Sequence, residues 1–191
     1  VDTIRGCRPT LFFGVPRVWE KIEEKMVATA AEKYKGVTGL ALQTISFVGK
    51  TANSFWYSSG TDTSLTVQKS IFNMPVHMIH YFYENYIFSA IKEQLGLNNC
   101  RYFLTGAAPI NKKTLTYFAS IDIPIMELYG MSETSGIISL QGPDDYAFGS
   151  CGKPMCEVKI AEDGEILVKG DNVFEGYHNN PEATAETLID E

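Results

Sequence analysis

The chain has 191 residues, of which 45% are hydrophobic and 20% charged, a composition typical of a folded globular protein rather than a disordered one. Its formal net charge is −7 at pH 7 without a basic stripe, which argues against a nucleic-acid partner. The four cysteines form no Cys-x-x-Cys pair, so we expect reduced thiols. No apolar stretch is long enough for a membrane-spanning helix, so we expect no bilayer span.

The first elements predicted in chain order are a strand and two helices. Residues 9–14 predict a short buried strand that ends in a glycine turn. A helix follows from Pro16 and can be closed by Gly36, with apolar residues at helical spacing: Trp19, Ile22, Met26 and Ala30. Trp19 fits the core better than the wall of an apolar channel, which stays open as an alternative. Residues 40–55 predict the second helix.

The next region combines a polar loop with an aromatic helix. Residues 57–64 look like a phosphate loop, but they lack the second glycine, the proline and the lysine that wrap and neutralise a phosphate. We therefore predict a surface loop without a ligand. Apolar and aromatic residues between 71 and 96 share a helical face that ends at Gly96, and a core role is favoured over a ligand-lining one.

A strand, a helix and a second strand are predicted between residues 101 and 126. The strand at 101–105 leads into Gly-Ala-Ala-Pro at 106–109, small residues that allow a flat ligand to lie against the backbone and equally suit a tight turn. Asn111 is a good cap for a helix over residues 112–120. A buried strand at 123–126 then completes a βαβ unit.

The stretch Glu-Leu-Tyr-Gly-Met-Ser-Glu-Thr-Ser-Gly follows that strand, and we predict a loop, where α/β proteins place ligand-contacting residues. Tyr129 can stack on a planar base, and Gly130 lets the backbone approach a ligand. The hydroxyls of Ser132 and Thr134 can donate to phosphate oxygens, and Glu133 can hold Mg²⁺ beside them. A hairpin-like turn with a surface carboxylate is an alternative of equal weight.

The sequence pattern changes toward the end of the chain. Residues 141–145 predict a loop. Residues 157–161 and 165–169 alternate with period two around Glu-Asp-Gly, which predicts a β-hairpin. Asn180 and Pro181 predict the cap and first turn of a final helix.

Four stretches, in order along the chain, resemble the motifs of adenylate-forming enzymes, the superfamily of acyl-CoA synthetases, luciferases and peptide-synthetase adenylation domains. They lie at residues 106–109, 129–133, 164–170, and 176–177 followed by 181–184. Longer stretches at 8–21, 122–133 and 149–153 resemble in particular the bubblegum-type long-chain acyl-CoA synthetases, and they argue against a luciferase or a peptide-synthetase domain.

The resemblance implies an α/β fold that forms part of the large N-terminal domain of such an enzyme. Residues 1–140 are expected to be the α/β core portion with the adenine-binding motifs, and residues 141–191 a β-hairpin portion of a small β-barrel. The phosphate loop, the ribose-binding aspartate and the catalytic lysine are expected outside the segment, so residues 1–191 alone are expected to be inactive. A non-catalytic nucleotide-binding or interaction fragment is the alternative.

The implied reaction is the ATP-dependent activation of a long-chain fatty acid, through acyl-adenylate, to acyl-CoA. ATP, Mg²⁺ and CoA as a substrate are therefore expected. Ser132 and Glu133 are assigned catalytic roles, and Glu133 the metal. The resemblance places the nucleotide at these residues: Gly106, Ala107, Ala108, Pro109, Glu127, Leu128, Tyr129, Gly130, Met131 and Ser132. It also implies a cytoplasmic protein and allows a peripheral contact with the endoplasmic reticulum membrane.

Overall fold

The computed structural model describes residues 2–33 and 88–189. The helices in these ranges are α1 (Asp2–Cys7), α2 (Pro16–Lys33), α3 (Ser89–Leu95), α4 (Lys112–Ala119) and α5 (Pro181–Thr187). The strands are β1 (Leu11–Phe13), β2 (Tyr102–Thr105), β3 (Ile125–Met131), β4 (Gly136–Leu140), β5 (Lys153–Pro154), β6 (Glu157–Ile160) and β7 (Ile166–Lys169). Short 3₁₀ turns occupy Ser132–Thr134 and Pro143–Asp145. The predicted helix at 40–55, the loop at 57–64 and most of the predicted 71–96 helix lie outside the described residues.

Five strands form one mixed sheet in the order β1-β2-β3-β4-β5, and β6 pairs with β7 in a separate two-stranded sheet. β1, β2 and β3 run parallel, whereas β4 and β5 are antiparallel to their neighbours. The β2–α4–β3 segment is therefore the predicted βαβ unit. The register pairs Thr105 with Glu127, which brings the 106–109 turn beside the polar stretch that begins at Glu127.

The main core lies between the sheet and helices α2, α3 and α4. Trp19 of α2 is at its centre, with no exposed surface. Its Nε1 donates a hydrogen bond to the Leu104 carbonyl oxygen at 3.1 Å, and its ring meets those of Phe12 and Phe118 edge-on, each at 5.1 Å between centroids. The core assignment of Trp19 is thus confirmed, because the indole N–H is satisfied by the sheet itself.

A smaller apolar cluster is formed by residues of β2 and β3 that alternate along the strands with those of the main core. Leu104 and Met126 pack there with Tyr146, from the segment after the second 3₁₀ turn. Phe148 contacts both clusters and meets the Tyr146 ring edge-on at 5.4 Å. The loop after β4 therefore covers apolar side chains of the two central strands, β2 and β3.

The first residues depart from the sequence predictions in two ways. β1 forms as predicted but is not buried, because Leu11 is 51% and Phe13 45% exposed. Among the described strands its sole neighbour is β2, so it is an edge strand. Helix α1 was not predicted, since it has six residues including a glycine. A hydrogen bond from Arg5 Nε to the carbonyl oxygen of Gln94 ties it to α3.

Local start and stop signals were predicted correctly. Asn111 Oδ1 accepts a hydrogen bond from the Lys113 amide at 2.9 Å, and Asn180 Oδ1 accepts one from the Ala183 amide at 3.2 Å. Gly96 ends α3 in the left-handed conformation with φ of 75°. The hairpin of β6 and β7 is also confirmed. A closed barrel is not seen within residues 88–189, so the barrel stays a prediction.

Two further expectations concern the cysteines and the membrane. All four cysteines are free thiols. Within residues 2–33 and 88–189, none of the helices combines the length and the apolar character needed to cross a bilayer.

Candidate functional site

The polar stretch at residues 127–136 is a β-hairpin rather than a loop. β3 continues through Met131, the Ser132–Thr134 turn follows, and β4 returns antiparallel to β3 from Gly136. The loop prediction for 127–131 is wrong, because these residues continue strand β3. Glu127 lies opposite Thr105 of β2, and residues 128–131 pair with β4. The alternative of a hairpin-like turn is confirmed.

Gly130 is explained by the geometry of this hairpin. A Cβ atom added at Gly130 would lie 1.9 Å from the carbonyl oxygen of Gly136, on the opposing strand. The pairing shifts in register between Tyr129 and Gly130, and this irregularity brings the two backbones together. Gly130 is not among the residues with positive φ. The glycine therefore permits strand-to-strand approach, whereas its predicted approach to a ligand stays a prediction.

The tip of the hairpin is held by a buried threonine. Thr134 Oγ1 lies 3.1 Å from the carbonyl oxygens of both Met131 and Gly136, and it accepts a longer bond of 3.4 Å from the Met131 amide. The Thr134 side chain thus faces into the turn, which contradicts its predicted donation to a phosphate. Ser132 is exposed and Glu133 half-buried, so these two side chains present the polar chemistry of the turn.

Glu133 is held by a distant segment of the chain. Its Oε1 accepts a hydrogen bond of 2.7 Å from the hydroxyl of Tyr177, and its backbone oxygen accepts one of 2.8 Å from the Phe174 amide. The bond from Tyr177 lowers the pKa of the Glu133 carboxyl, and the same bond raises the pKa of the Tyr177 phenol. The sequence motif had marked Tyr177 without assigning it a role.

The other end of the stretch is organised around Glu127. Its Oε1 accepts a hydrogen bond of 3.1 Å from the Gly149 amide, and its own amide donates to Gln141 Oε1 at 2.9 Å. Partial burial raises the pKa of the Glu127 carboxyl, an effect that the bond from Gly149 opposes. Glu127 thus links β3 to the loop after β4, a contact that the sequence did not reveal.

Gln141 is the residue at this site that sequence reasoning missed. It was assigned to a loop, yet its side chain is only 2% exposed. Its Oε1 accepts from the Glu127 amide, and its Nε2 donates to the carbonyl oxygen of Ala147. One side chain thereby fixes both the strand and the loop that carries Tyr146. The available signal was a glutamine directly after an apolar strand, which is weak evidence by itself.

We expect Gln141→Leu to destabilise the protein markedly. The substitution removes the bonds of Gln141 to the Glu127 amide and to the Ala147 carbonyl oxygen, and each lost bond costs about 0.5–1.5 kcal/mol. Gln94→Leu is the control, because Gln94 is exposed on α3 and a surface change there should stay within about 0.5 kcal/mol. Urea unfolding followed by circular dichroism measures both variants. Equal unfolding midpoints would contradict the role of Gln141 in joining β3 to the loop after β4.

The 106–109 turn lies beside the start of the β3–β4 hairpin, because Thr105 is paired with Glu127. Gly106 is buried, and a Cβ there would come within 2.5 Å of Leu128 Cδ1, so the glycine makes room for the leucine. Ala107, Ala108 and Pro109 are exposed, with Ala107 at φ of 68°. Between the two stretches, the Thr105 Oγ1 is buried and has no hydrogen-bond partner among the described residues. The predicted nucleotide residues are therefore brought together at one edge of the sheet.

The donor set suits a magnesium ion that is shared with a phosphorylated ligand. No group of three or more His, Cys, Asp or Glu side chains within residues 2–33 and 88–189 could form a metal site made of protein alone. Mg²⁺ commonly keeps several waters and binds through one or two carboxylates plus substrate phosphates. One Glu133 carboxylate at a turn, beside an exposed serine, fits that requirement, and Glu133 is the residue that would hold the ion.

Residues 1–178 match the family described as AMP-binding enzyme. The long-chain-fatty-acid–CoA ligase ACSBG2 of Xenopus laevis is 39% identical over 196 residues, covering 99% of this chain and 25% of that protein. The human protein of the same name is 34% identical over 200 residues, covering 100% of this chain and 28% of that protein. The Drosophila melanogaster long-chain-fatty-acid–CoA ligase heimdall is 37% identical over 198 residues, covering 98% of this chain and 27% of that protein.

The chain spans about a quarter of the length of these relatives. A solved structure of O-succinylbenzoate coenzyme A synthetase from Bacillus subtilis, in complex with ATP and magnesium ion, is 32% identical. Its overlap covers 48% of this chain and 22% of that one, with a TM-score of 0.43. The family match and the relatives confirm the resemblance to bubblegum-type long-chain acyl-CoA synthetases, and the chain belongs to the AMP-binding enzyme family.

Proposed function

We propose that this chain supplies the nucleotide and magnesium end of a long-chain fatty acid–CoA ligase. The observation that carries the proposal is the hairpin turn, which presents Ser132 and Glu133 together while Thr134 closes the turn from inside. The adjacent 106–109 turn supports a ligand at this edge of the sheet, as does the Thr105 hydroxyl, which has no hydrogen-bond partner among residues 2–33 and 88–189. Relatives named long-chain-fatty-acid–CoA ligase support the fatty acid and CoA as substrates.

The reaction has two steps. The fatty carboxylate attacks the α-phosphorus of ATP, forming an acyl-adenylate as the bond to pyrophosphate breaks. The sulfur of CoA then attacks the acyl carbon, forming a thioester as AMP leaves and the thiol proton passes to solvent. Such transfers depend on charge stabilisation around phosphate oxygens more than on a protein nucleophile.

Each residue of the site has a role in this proposal. Mg²⁺ bound to Glu133 would neutralise charge on the phosphate oxygens. The Ser132 hydroxyl donates a hydrogen bond to one of those oxygens. Tyr129 stacks on the adenine, and the backbone at residues 106–109 and 127–131 forms the wall against which the nucleotide lies.

Tyr129→Ala is expected to raise the KM for ATP about tenfold, because the loss of a stacked aromatic ring costs roughly 1–3 kcal/mol. Tyr129→Phe is the control, since it keeps the ring and removes only the hydroxyl. Initial rates measured against ATP at saturating fatty acid give the comparison. If only the KM for the fatty acid rises, Tyr129 belongs to the acyl site instead.

The proposed function is tested with the complete protein, palmitate, Mg-ATP and CoA. We expect AMP and palmitoyl-CoA to form in equal amounts, and AMP release to depend on the fatty acid. Exchange of pyrophosphate into ATP that requires an amino acid, with none for palmitate, would place the protein in another class of the same family. Residues 1–191 tested alone are expected to give no turnover.

Three finer expectations are also proposals. The β6–β7 hairpin joins further strands of the complete protein in a small barrel, consistent with its pairing apart from the main sheet. The boundary between the two portions lies near residue 140. The complete protein is cytoplasmic, with a peripheral contact at the endoplasmic reticulum membrane that would bring it close to its apolar substrate.

A further inference from the structure

The hairpin turn is braced by one segment from much later in the chain. Tyr177 is 44 residues from Glu133, yet its hydroxyl donates to Glu133 Oε1 at 2.7 Å. In the same segment the Phe174 amide donates to the Glu133 backbone oxygen at 2.8 Å, and Asn172 Nδ2 donates to the Thr134 backbone oxygen at 3.1 Å. The backbone and the carboxylate of Glu133 are thus held from one side, by residues 172–177.

The segment that bears Tyr177 is itself fixed in place. The Tyr177 ring meets the Phe174 ring edge-on at 4.8 Å between centroids, and the Tyr177 amide donates to Thr184 Oγ1 at 2.9 Å. Gly176 has φ of 147°, and a Cβ added there would lie 2.7 Å from Thr184 Cγ2. The phenol hydroxyl is therefore presented by a preformed loop rather than by a freely rotating side chain.

This arrangement has a chemical consequence for Glu133. A glutamate side chain has several rotatable bonds, so a carboxylate at a turn loses conformational freedom when it binds an ion. The bond from Tyr177 engages Oε1, and with a second bond from the backbone amide of Glu133 it restricts the rotation of the carboxylate. Outer-shell hydrogen bonds of this kind commonly orient metal-binding carboxylates.

We propose that residues 172–177 form a positioning element for Glu133, in which the Tyr177 hydroxyl holds the carboxylate in the orientation that receives a divalent cation. The inference rests on the proposed function, because it takes Glu133 as the residue that binds the metal. Tyr177 acts through Glu133 and does not touch the nucleotide. The opposite arrangement is a phenol that occupies the carboxylate and must leave before a metal binds.

The test measures metal affinity without turnover. Mn²⁺ replaces Mg²⁺ as the probe, and electron paramagnetic resonance reports free Mn²⁺ during titration of the complete protein with a non-hydrolysable ATP analogue. Tyr177→Phe removes one hydroxyl and keeps the ring, and it is expected to weaken Mn²⁺ binding about tenfold. Tyr102→Phe removes a phenol hydroxyl from β2, away from the turn, and is expected to leave the affinity unchanged.

A double variant separates action through Glu133 from action elsewhere. Glu133→Gln is expected to weaken Mn²⁺ binding at least as much as Tyr177→Phe. If Tyr177 acts through the carboxylate, adding Tyr177→Phe to Glu133→Gln produces no further loss. In steady-state assays, Tyr177→Phe should raise the KM for Mg²⁺ while the KM for the fatty acid stays constant, a split that a general loss of folding would not produce.

The outcomes distinguish the positioning role of Tyr177 from the metal-binding role of Glu133. Unchanged Mn²⁺ binding in Glu133→Gln would overturn the metal role itself. Weakened binding in Glu133→Gln, combined with unchanged or tighter binding in Tyr177→Phe, would overturn the positioning role alone. Asn172→Ala releases the segment without touching Glu133 and gives a second test if Tyr177→Phe does not fold. It should also weaken Mn²⁺ binding, and an unchanged affinity would contradict the role of residues 172–177 as a positioning element.

Discussion

Replacing Glu133 by alanine in the complete protein is expected to lower the rate of adenylate formation by about 10²-fold or more, the scale of losing one preorganised electrostatic contact. The carboxylate lies at a turn closed by Thr134 and is held by Tyr177, so its orientation does not have to be created during the reaction. The alanine variant removes the proposed metal contact and leaves the hairpin backbone in place. Exchange of pyrophosphate into ATP measures the adenylation step directly.

Glu162→Ala is the control for this experiment. Glu162 is an exposed carboxylate between β6 and β7, so its loss changes the net charge equally without altering the proposed site. Its exchange rate should match that of the unmodified protein. Exchange by Glu133→Ala at the rate of Glu162→Ala would show that Glu133 is not the metal residue.

Trp19→Ala is expected to lower the free energy of unfolding by about 3–5 kcal/mol, the usual cost of truncating a buried tryptophan. The indole has no exposed surface and touches the rings of Phe12, Phe103 and Phe118, so alanine would leave a cavity between α2, α4 and the sheet. The Leu104 carbonyl would lose the Nε1 donor but keep the Gly14 amide, so the cavity dominates the loss.

Two variants control for the tryptophan experiment. Val27→Ala lies on the same helix at a position that is 50% exposed, and it should change the free energy of unfolding by no more than about 0.5 kcal/mol. Trp19→Phe keeps a buried ring and should cost less than Trp19→Ala. Urea unfolding followed by circular dichroism provides the values. A Trp19→Ala variant as stable as Val27→Ala would contradict the central position of the indole in the core.

The features that the sequence predicted correctly depend on neighbouring residues. Asn111 and Asn180 cap helices through bonds to amides two and three residues away, and Gly96 ends a helix with its own backbone. The β6–β7 hairpin follows from alternation around a short turn. Such signals are contained in the local sequence, so they can be recognised without the tertiary fold.

The features that the sequence did not predict depend on contacts between distant residues. The sequence predicted a loop at residues 127–131, because these residues include polar side chains and their pairing with β4 cannot be recognised from the local sequence. Helix α1 is bonded to Gln94, 89 residues beyond Arg5. The Glu127–Gln141 and Glu133–Tyr177 bonds span 14 and 44 residues. Motifs had identified Glu133 as a candidate site residue, but only the fold shows what holds it.

The most direct measurement is a crystal structure of the complete protein with Mg²⁺ and a non-hydrolysable ATP analogue. We expect Mg²⁺ at about 2.0–2.1 Å from an oxygen of Glu133, the usual distance for this ion. We also expect phosphate oxygens at Ser132 and adenine against Tyr129. A nucleotide bound away from the β3–β4 hairpin, or a bound Mg²⁺ that Glu133 does not contact, would contradict the proposed role of this hairpin.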